Sequence, residues 1–250
     1  MIKPLNKDQV NKAIKSGEIT ASVLKSVKNY LNSGIATSEL EDLALRIIAS
    51  SGGKPAFLGY NGYKYASCIS VNDKVVHGLP SPRTLKNGDI VSFDVGTNYQ
   101  GINTDAAATF VVGDFTNNNE KRLVEGVARA LEESIKIVRP GIKLGDIEAT
   151  IGKTLKKYSL SPVMTLSGHG IGEKVHQEPS IMCDGQKGTG PLIETGFMFA
   201  IEPMATLGNG RVKRSDDGWS ICSVDGSTGA HFEHTILVVK DGYKILTQYE

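Results

Sequence analysis

Cysteine is scarce in this sequence: Cys68, Cys183 and Cys222 are the only three in 250 residues. They are odd in number, far apart, and form no Cys-x-x-Cys pair, which argues against a disulfide framework and points to a reducing compartment. Charge of one sign is missing too. Lysine and arginine total 28 and the acids 27, a formal balance of +1. That gives no broad electrostatic reason to expect nucleic acid or an anionic membrane as partner. No apolar run is long enough to span a bilayer, and the opening "MIKPLNKDQVNKAIKSGE" has no signal-peptide core. What remains is a mixed α/β chain of a size that buries a full core, expected in the cytoplasm. Histidine is sparse but clustered. All five lie in three stretches: His77 in "VVHGLP", His169 and His176 in "SGHGIGEKVHQEPS", and His231 and His234 in "GAHFEHTI". Such clustering asks for a chemical reason.

The sequence repeats itself. "SGIATSELEDLALRIIAS" around Gly34 aligns with "PGIKLGDIEATIGKTLKK" around Gly141, at an offset of 107 (141 − 34). Each reads as a glycine turn, an acidic first helical turn and apolar residues at helical spacing. An apolar-periodic segment precedes each, Val10 to Leu31 and Leu123 to Val138. Downstream, "GDIVSFDVG" with Asp94 matches "GFMFAIEPM" with Glu202, at an offset of 108 (202 − 94). "DAAATFVV" from Asp105 matches "EHTILVV" from Glu233, and the added residues fall in the loop "LGNGRVKRSDDGWSICSVDGS". The expectation is a duplicated α+β unit closing on itself, one catalytic domain over 1–250 with halves of roughly 1–115 and 116–250.

Four carboxylates thus sit on apolar strands, where burying charge is costly unless it is paired. The strands offer no lysine or arginine to pair them, and four anions in one interior cannot all ionise without cations. A single acid in a strand more often caps a sheet edge. For the set, with histidines close by in sequence, a divalent metal is the better account. Carboxylate oxygens with one imidazole suit Mn²⁺, Fe²⁺ or Co²⁺ better than a structural zinc site. Asp105 and Glu233, at equivalent places in the two halves, are the natural bridges between two ions.

With these residues in place the chain resembles the type I methionine aminopeptidases of the pita-bread fold. The likeness is carried by "PAFLGYNGYKYASCISVNDKVVHGLP", "DIVSFDVGTNYQGINTDAAATF", "GHGIGEKVHQEP", "FAIEPM" and "FEHTI". It implies an α+β pita-bread fold with a pseudo-twofold repeat around a central antiparallel sheet. It implies a dinuclear metallopeptidase that removes the initiator methionine from new polypeptides when the second residue is small. Carried onto matching positions, the metal ligands are Asp94, Asp105, His169, Glu202 and Glu233. Glu202 becomes the proton shuttle, His176 the donor to the forming oxyanion and His77 the contact to the departing amide nitrogen. Tyr60, Tyr63, Cys68 and Trp219 become walls of the methionine pocket, together with His77 and His176. Action on nascent chains implies transient ribosome contact by a monomer. No charge pattern marks a docking surface. The same rule predicts that this chain's own Ile2 leaves Met1 in place.

The sequence departs from the family pattern at three positions. Val175 stands where Phe is frequent, Gln177 where Glu is common and His231 where Gln is common; none of these removes a ligand. Left to themselves, His231 and His234 read as core histidines flanking Glu233. Three rivals remain to be weighed, of which a purely structural α+β protein has no need of the acid pairs. X-Pro peptidases share the fold but usually carry an added N-terminal domain, whereas here the repeat begins almost at once. A non-catalytic pita-bread protein would be expected to lack ligands, yet all five are in place.

Overall fold

The computed structural model describes residues 3–249, so the Met1–Ile2 pair lies outside it. Helices α1 (Lys7–Tyr30) and α2 (Thr37–Ser50) precede strands β1 (Lys54–Pro55), β2 (Ser67–Val71), β3 (Lys74–Val76), β4 (Ile90–Tyr99) and β5 (Ile102–Val111). Helices α3 (Asn118–Lys136) and α4 (Leu144–Lys157) follow, then β6 (Ser161–Pro162), β7 (Ser167–Gly170), β8 (Gln177–Met182), β9 (Met198–Ile201) and β10 (Met204–Thr206). The chain closes with β11 (Val212–Arg214), β12 (Ile221–Ser223), β13 (Gly229–His231), β14 (His234–Val239) and β15 (Gly242–Ile245). Among the described residues no helix is long and apolar enough to cross a membrane.

The repeat is visible bond by bond. Gly34 and Gly141 adopt φ of 98° and 91°, a region glycine enters without steric cost. Each donates its amide to an equivalent carbonyl, Leu85 or Ile193, at 2.9 Å. The next helices are capped alike: Glu39 accepts the Ala36 amide at 2.8 Å, and Asp146 accepts the Lys143 amide at 2.9 Å. Each bond satisfies an amide that a helix start leaves open. The acidic first turns read from the sequence therefore do a definite job.

Within the first sheet β4 is flanked by β5 on one edge and by β2 and β1 on the other, all antiparallel. The second sheet runs β15-β14-β9-β7-β8. The two meet where β5 passes β14. The Glu233 amide donates to Ala107 O at 2.8 Å, while the Asp105 amide donates to Thr235 Oγ1 at 2.8 Å and that hydroxyl donates back to Asp105 O at 2.7 Å. Ala107 and Thr235 are each two residues beyond their acid, so the seam obeys the same pseudo-twofold relation as the sequence. Helix α1 covers β4 and β5, and α4 packs on β8.

Two details differ from the periodicity argument. The buried stripe of α1 is not purely apolar, because it includes Ser16 and Thr20. Their hydroxyls bond Thr97 and Thr104 on the sheet, at 2.8 Å from Ser16 Oγ to Thr97 O and 2.9 Å between Thr20 and Thr104 hydroxyls, which satisfies each buried oxygen. The insert read as a loop holds β11 and β12, and β12 pairs with β3. Its alternation is too short to stand out against the surrounding glycines and charges.

Candidate active site

Strand register brings the acids together. On β4 Asp94 lies opposite Ala107 of β5, and Asp105 lies opposite Gly96, so the two acids are diagonal neighbours on one sheet face. In the second sheet His169 of β7 lies opposite Ala200 of β9, and Glu202 follows two residues later on the same face. Strand β7 is squeezed between β8 and β9. A side chain at Gly168 would put its Cβ 2.5 Å from Ala200 O, and one at Gly170 would put it 2.3 Å from Glu178 O. Close backbone approach, rather than an unusual φ, is what those glycines serve. Glu233 enters from the start of β14. All five predicted ligands line one cavity of about 190 Å³.

Donor atoms of Asp105, His169 and Glu233 lie within 4.8 Å of one another. Glu202 Oε1 is 3.4 Å from His169 Nε2. The His169 Nδ1 stands 3.0 Å from Gly170 O, which fixes the tautomer with Nδ1–H donating and leaves the Nε2 lone pair facing the acids. Burial holds Asp94, Glu202 and Glu233 well above the usual carboxylate range, and the neighbouring carboxylates add to it. Burial also raises Asp105, and it lowers His169 to about 3 with help from His176. Asp94 Oδ1, Asp105 Oδ1 and Glu233 Oε1 are buried without any hydrogen-bond partner. Among the described residues no lysine or arginine ion-pairs with these acids; the nitrogens beside them belong to His169 and His231, which burial keeps neutral. Arg214 reaches the cavity wall, but its guanidinium donates to Gly218 O at 2.8 Å. Four desolvated carboxylates with orphaned oxygens and one pre-oriented imidazole fit hard divalent cations.

The predicted substrate residues line the same cavity. Tyr63, Cys68, Val175 and Phe57 form a small apolar cluster, with Trp219 packed against it. The Tyr63 and Trp219 rings meet edge-on at 4.9 Å. Thus the β11–β12 hairpin is what delivers Trp219, and Val175 packs in the apolar cluster with the wall residues Phe57, Tyr63 and Cys68. Tyr60 sits at the mouth with its ring 5.0 Å from that of His176, which is in turn 4.3 Å from His169. His77 holds φ of 58°, uncommon for a residue with a Cβ, and such strain gathers at functional sites. Burial lowers both His176 and His77, the latter to about 4, so both are neutral near pH 7.

Behind this pocket stands Glu41 of α2, which is buried. Its carboxylate accepts the amides of Ala66 at 2.6 Å and Ser67 at 3.0 Å and the Ser67 hydroxyl at 2.5 Å. Tyr63 donates its hydroxyl to Ser67 O at 2.9 Å, so Glu41 fastens the turn that carries Tyr63 and Cys68. Its counterpart in the repeat, Glu148, accepts the Met182 amide at 2.9 Å behind β8. Replacing Glu41 by Gln leaves a buried donor unmatched. Stability is expected to fall by about 1.5–3 kcal/mol, the usual value of a hydrogen bond to a charged group, read by urea unfolding.

Sequence reasoning missed four lining residues, Phe57, Asn61, Arg214 and His231. The core reading fits His234 only in part, since the ring is half-buried with its Nδ1 3.0 Å from Thr247 Oγ1. It fails for His231, which faces the acids. Strand alternation could not supply the signal, because β13 ends at His231 and β14 begins only at His234.

Residues 11–240 match the model of metallopeptidase family M24. The chain belongs to that family. It is 38% identical to methionine aminopeptidase 1 of Bacillus subtilis over 93% of this chain and 94% of that one. It is 39% identical to the methionine aminopeptidase of Aquifex aeolicus, covering 96% of each. The crystal structure of the Thermotoga maritima methionine aminopeptidase superimposes with a TM-score of 0.97 at 42% identity, covering 99% of this chain and all of that one. A Pyrococcus furiosus prolidase shares the fold, with a TM-score of 0.81 at 22% identity over 99% of this chain but 66% of its own. The M24 family uses divalent metal, and the acid–histidine set fits that chemistry.

Proposed function

We propose that this M24 enzyme removes the N-terminal methionine from polypeptides whose second residue is small, acting in the cytoplasm as a monomer. The observation that carries the reading is the adjacency of an apolar, sulfur-compatible pocket and a cluster of buried acids within one cavity. Aromatic edges and a thiol are favourable company for a thioether. We read residues 1–250 as one catalytic domain with halves meeting near residue 115. Asp94, Asp105, His169, Glu202 and Glu233 would hold two divalent ions of the Mn²⁺, Fe²⁺ or Co²⁺ class, with Asp105 and Glu233 shared. When bound, such ions supply Lewis acidity, polarising a carbonyl and acidifying water.

The chain's own residues supply the rest. Glu202 takes up and returns the proton at its carboxylate, whose affinity for a proton burial has raised. His176, neutral and exposed at the cavity rim beside His169, donates its N–H toward the oxyanion. His77, held in its strained turn, contacts the amide nitrogen that leaves. Tyr63, Cys68 and Trp219 orient the methionine, and Val175 widens the pocket. A chain emerging from a ribosome is the natural substrate, which entails transient contact there.

Hydrolysis of Met-Gly-Met, set against Gly-Pro and Ala-Pro dipeptides with and without added metal, tests the reading. Metal-dependent release of methionine is expected; cleavage of the proline peptides alone would overturn it. Trp219 is the single tryptophan, and it abuts Tyr63 in the pocket. Adding methionine is therefore expected to shift the intrinsic emission, and Tyr63→Ala to weaken that response in a fluorescence titration.

A further inference from the structure

His231 occupies a place in the site that the five-ligand set does not explain. It is 2% exposed, and neither ring nitrogen has a hydrogen-bond partner. Its Nε2 points between two acids, 3.3 Å from Glu202 Oε2 and 3.9 Å from Glu233 Oε2. The backbone that carries it is fixed, because the His231 amide donates to Thr109 Oγ1 at 2.9 Å and that hydroxyl donates to His231 O at 2.6 Å. Strand β13 is further paired to β10, with His231 opposite Met204. The ring is therefore held by β-ladder geometry and not by contacts of its own. Buried imidazole nitrogens in native proteins are nearly always matched. Here the nearest polar atoms are carboxylate oxygens that are themselves proposed to face cations. A cation placed among them would match the orphaned Nε2 as it matches the orphaned oxygens.

We propose that His231 is a sixth donor of the metal centre, its Nε2 binding an ion from between Glu202 and Glu233. The inference rests on the divalent-metal reading above. Two imidazoles in place of one make the site softer. Preference then moves along the divalent series, toward Zn²⁺, Co²⁺ and Fe²⁺ and away from Mn²⁺. His231 would thus set which ion this chain selects, while Asp94, Asp105, His169, Glu202 and Glu233 set that it takes ions at all.

The test counts imidazoles directly. Wild-type protein is loaded anaerobically with two equivalents of Zn²⁺, bound metal is measured, and X-ray absorption at the zinc edge gives the imidazole nitrogens per chain. Two are expected in the wild type and one in His231→Gln, a replacement of similar length that keeps the strand. In parallel, competition between Zn²⁺ and Mn²⁺ is followed by dialysis. His231→Gln is expected to lower the zinc-over-manganese preference by about tenfold or more. One imidazole per chain in the wild type would overturn the proposal, leaving His231 as a hydrogen-bond donor to Glu202. So would an unchanged ion preference in a folded His231→Gln protein, and the wild-type count stands even if that variant fails to fold. A wild-type chain that binds no divalent ion would instead bring down the metal reading itself, a distinguishable result.

Discussion

Glu202→Gln is expected to reduce kcat on Met-Gly-Met by about 10²–10⁴-fold, the usual span for losing a general acid–base group. Glutamine reproduces the shape of the side chain, so packing against Gly168 and the ends of β9 is retained. What disappears is an oxygen that can accept a proton. The methionine pocket, built from Tyr63, Cys68 and Trp219, is carried on other elements. KM is therefore expected to change much less than kcat, the pattern of an interaction made in the transition state. Glu202 also abuts His169 at 3.4 Å and His231 at 3.3 Å. Some loss of metal is thus expected, and steady-state rates should be normalised to ions bound per chain. A variant that keeps its metal and turns over near the wild-type rate would remove Glu202 from the proton-transfer role.

The repeat explains why so much of this site could be read without coordinates. A duplicated acid on equivalent strands is a pattern that no local propensity produces. The offsets of 107 and 108 survive in the structure as matched hydrogen bonds at Gly34 and Gly141 and at the caps of α2 and α4. Periodicity served less well where it rests on apolar residues alone. Ser16 and Thr20 of α1 are buried because hydroxyls on β4 and β5 answer them, and that depends on which strand the helix meets. The β11–β12 hairpin hid among glycines and charges because each strand is three residues long and gains its order from β3. His231 was missed for a different reason. One histidine beside a ligand reads as a flanking core residue until the ladder from β13 to β10 fixes the face it presents. Glu41 was visible as one half of a repeated pair. Its task of holding Ser67, and through it Tyr63, needed the three-dimensional contact.

Asp105→Asn is expected to change the sign of its effect with metal. In the metal-free wild type Asp105 is buried beside Asp94, and its carboxyl is raised mainly by burial. A carboxyl whose folded value exceeds its unfolded value favours the folded state only while protonated there. Its contribution is complete below the unfolded value near pH 4 and is lost as pH rises through the raised folded one. The metal-free protein is therefore expected to melt at lower temperature as pH climbs from about 4 toward neutrality. Asparagine removes a buried charge, so the metal-free Asp105→Asn protein should melt higher than metal-free wild type at pH 7. Metal reverses the order. Ions that bind only the folded chain stabilise it by about 4 kcal/mol at 1,000 times Kd. At roughly 2–4 °C per kcal/mol for a chain of this size, that is a rise of about 8–16 °C in wild type. Asp105→Asn should forfeit most of that rise along with its activity, because an amide is a poor bridge between two cations. Scanning calorimetry at several pH values, with chelator and with saturating Co²⁺ or Mn²⁺, reads all four states. A metal-free Asp105→Asn protein melting below wild type at pH 7 would show that the acids are paired by something other than cations.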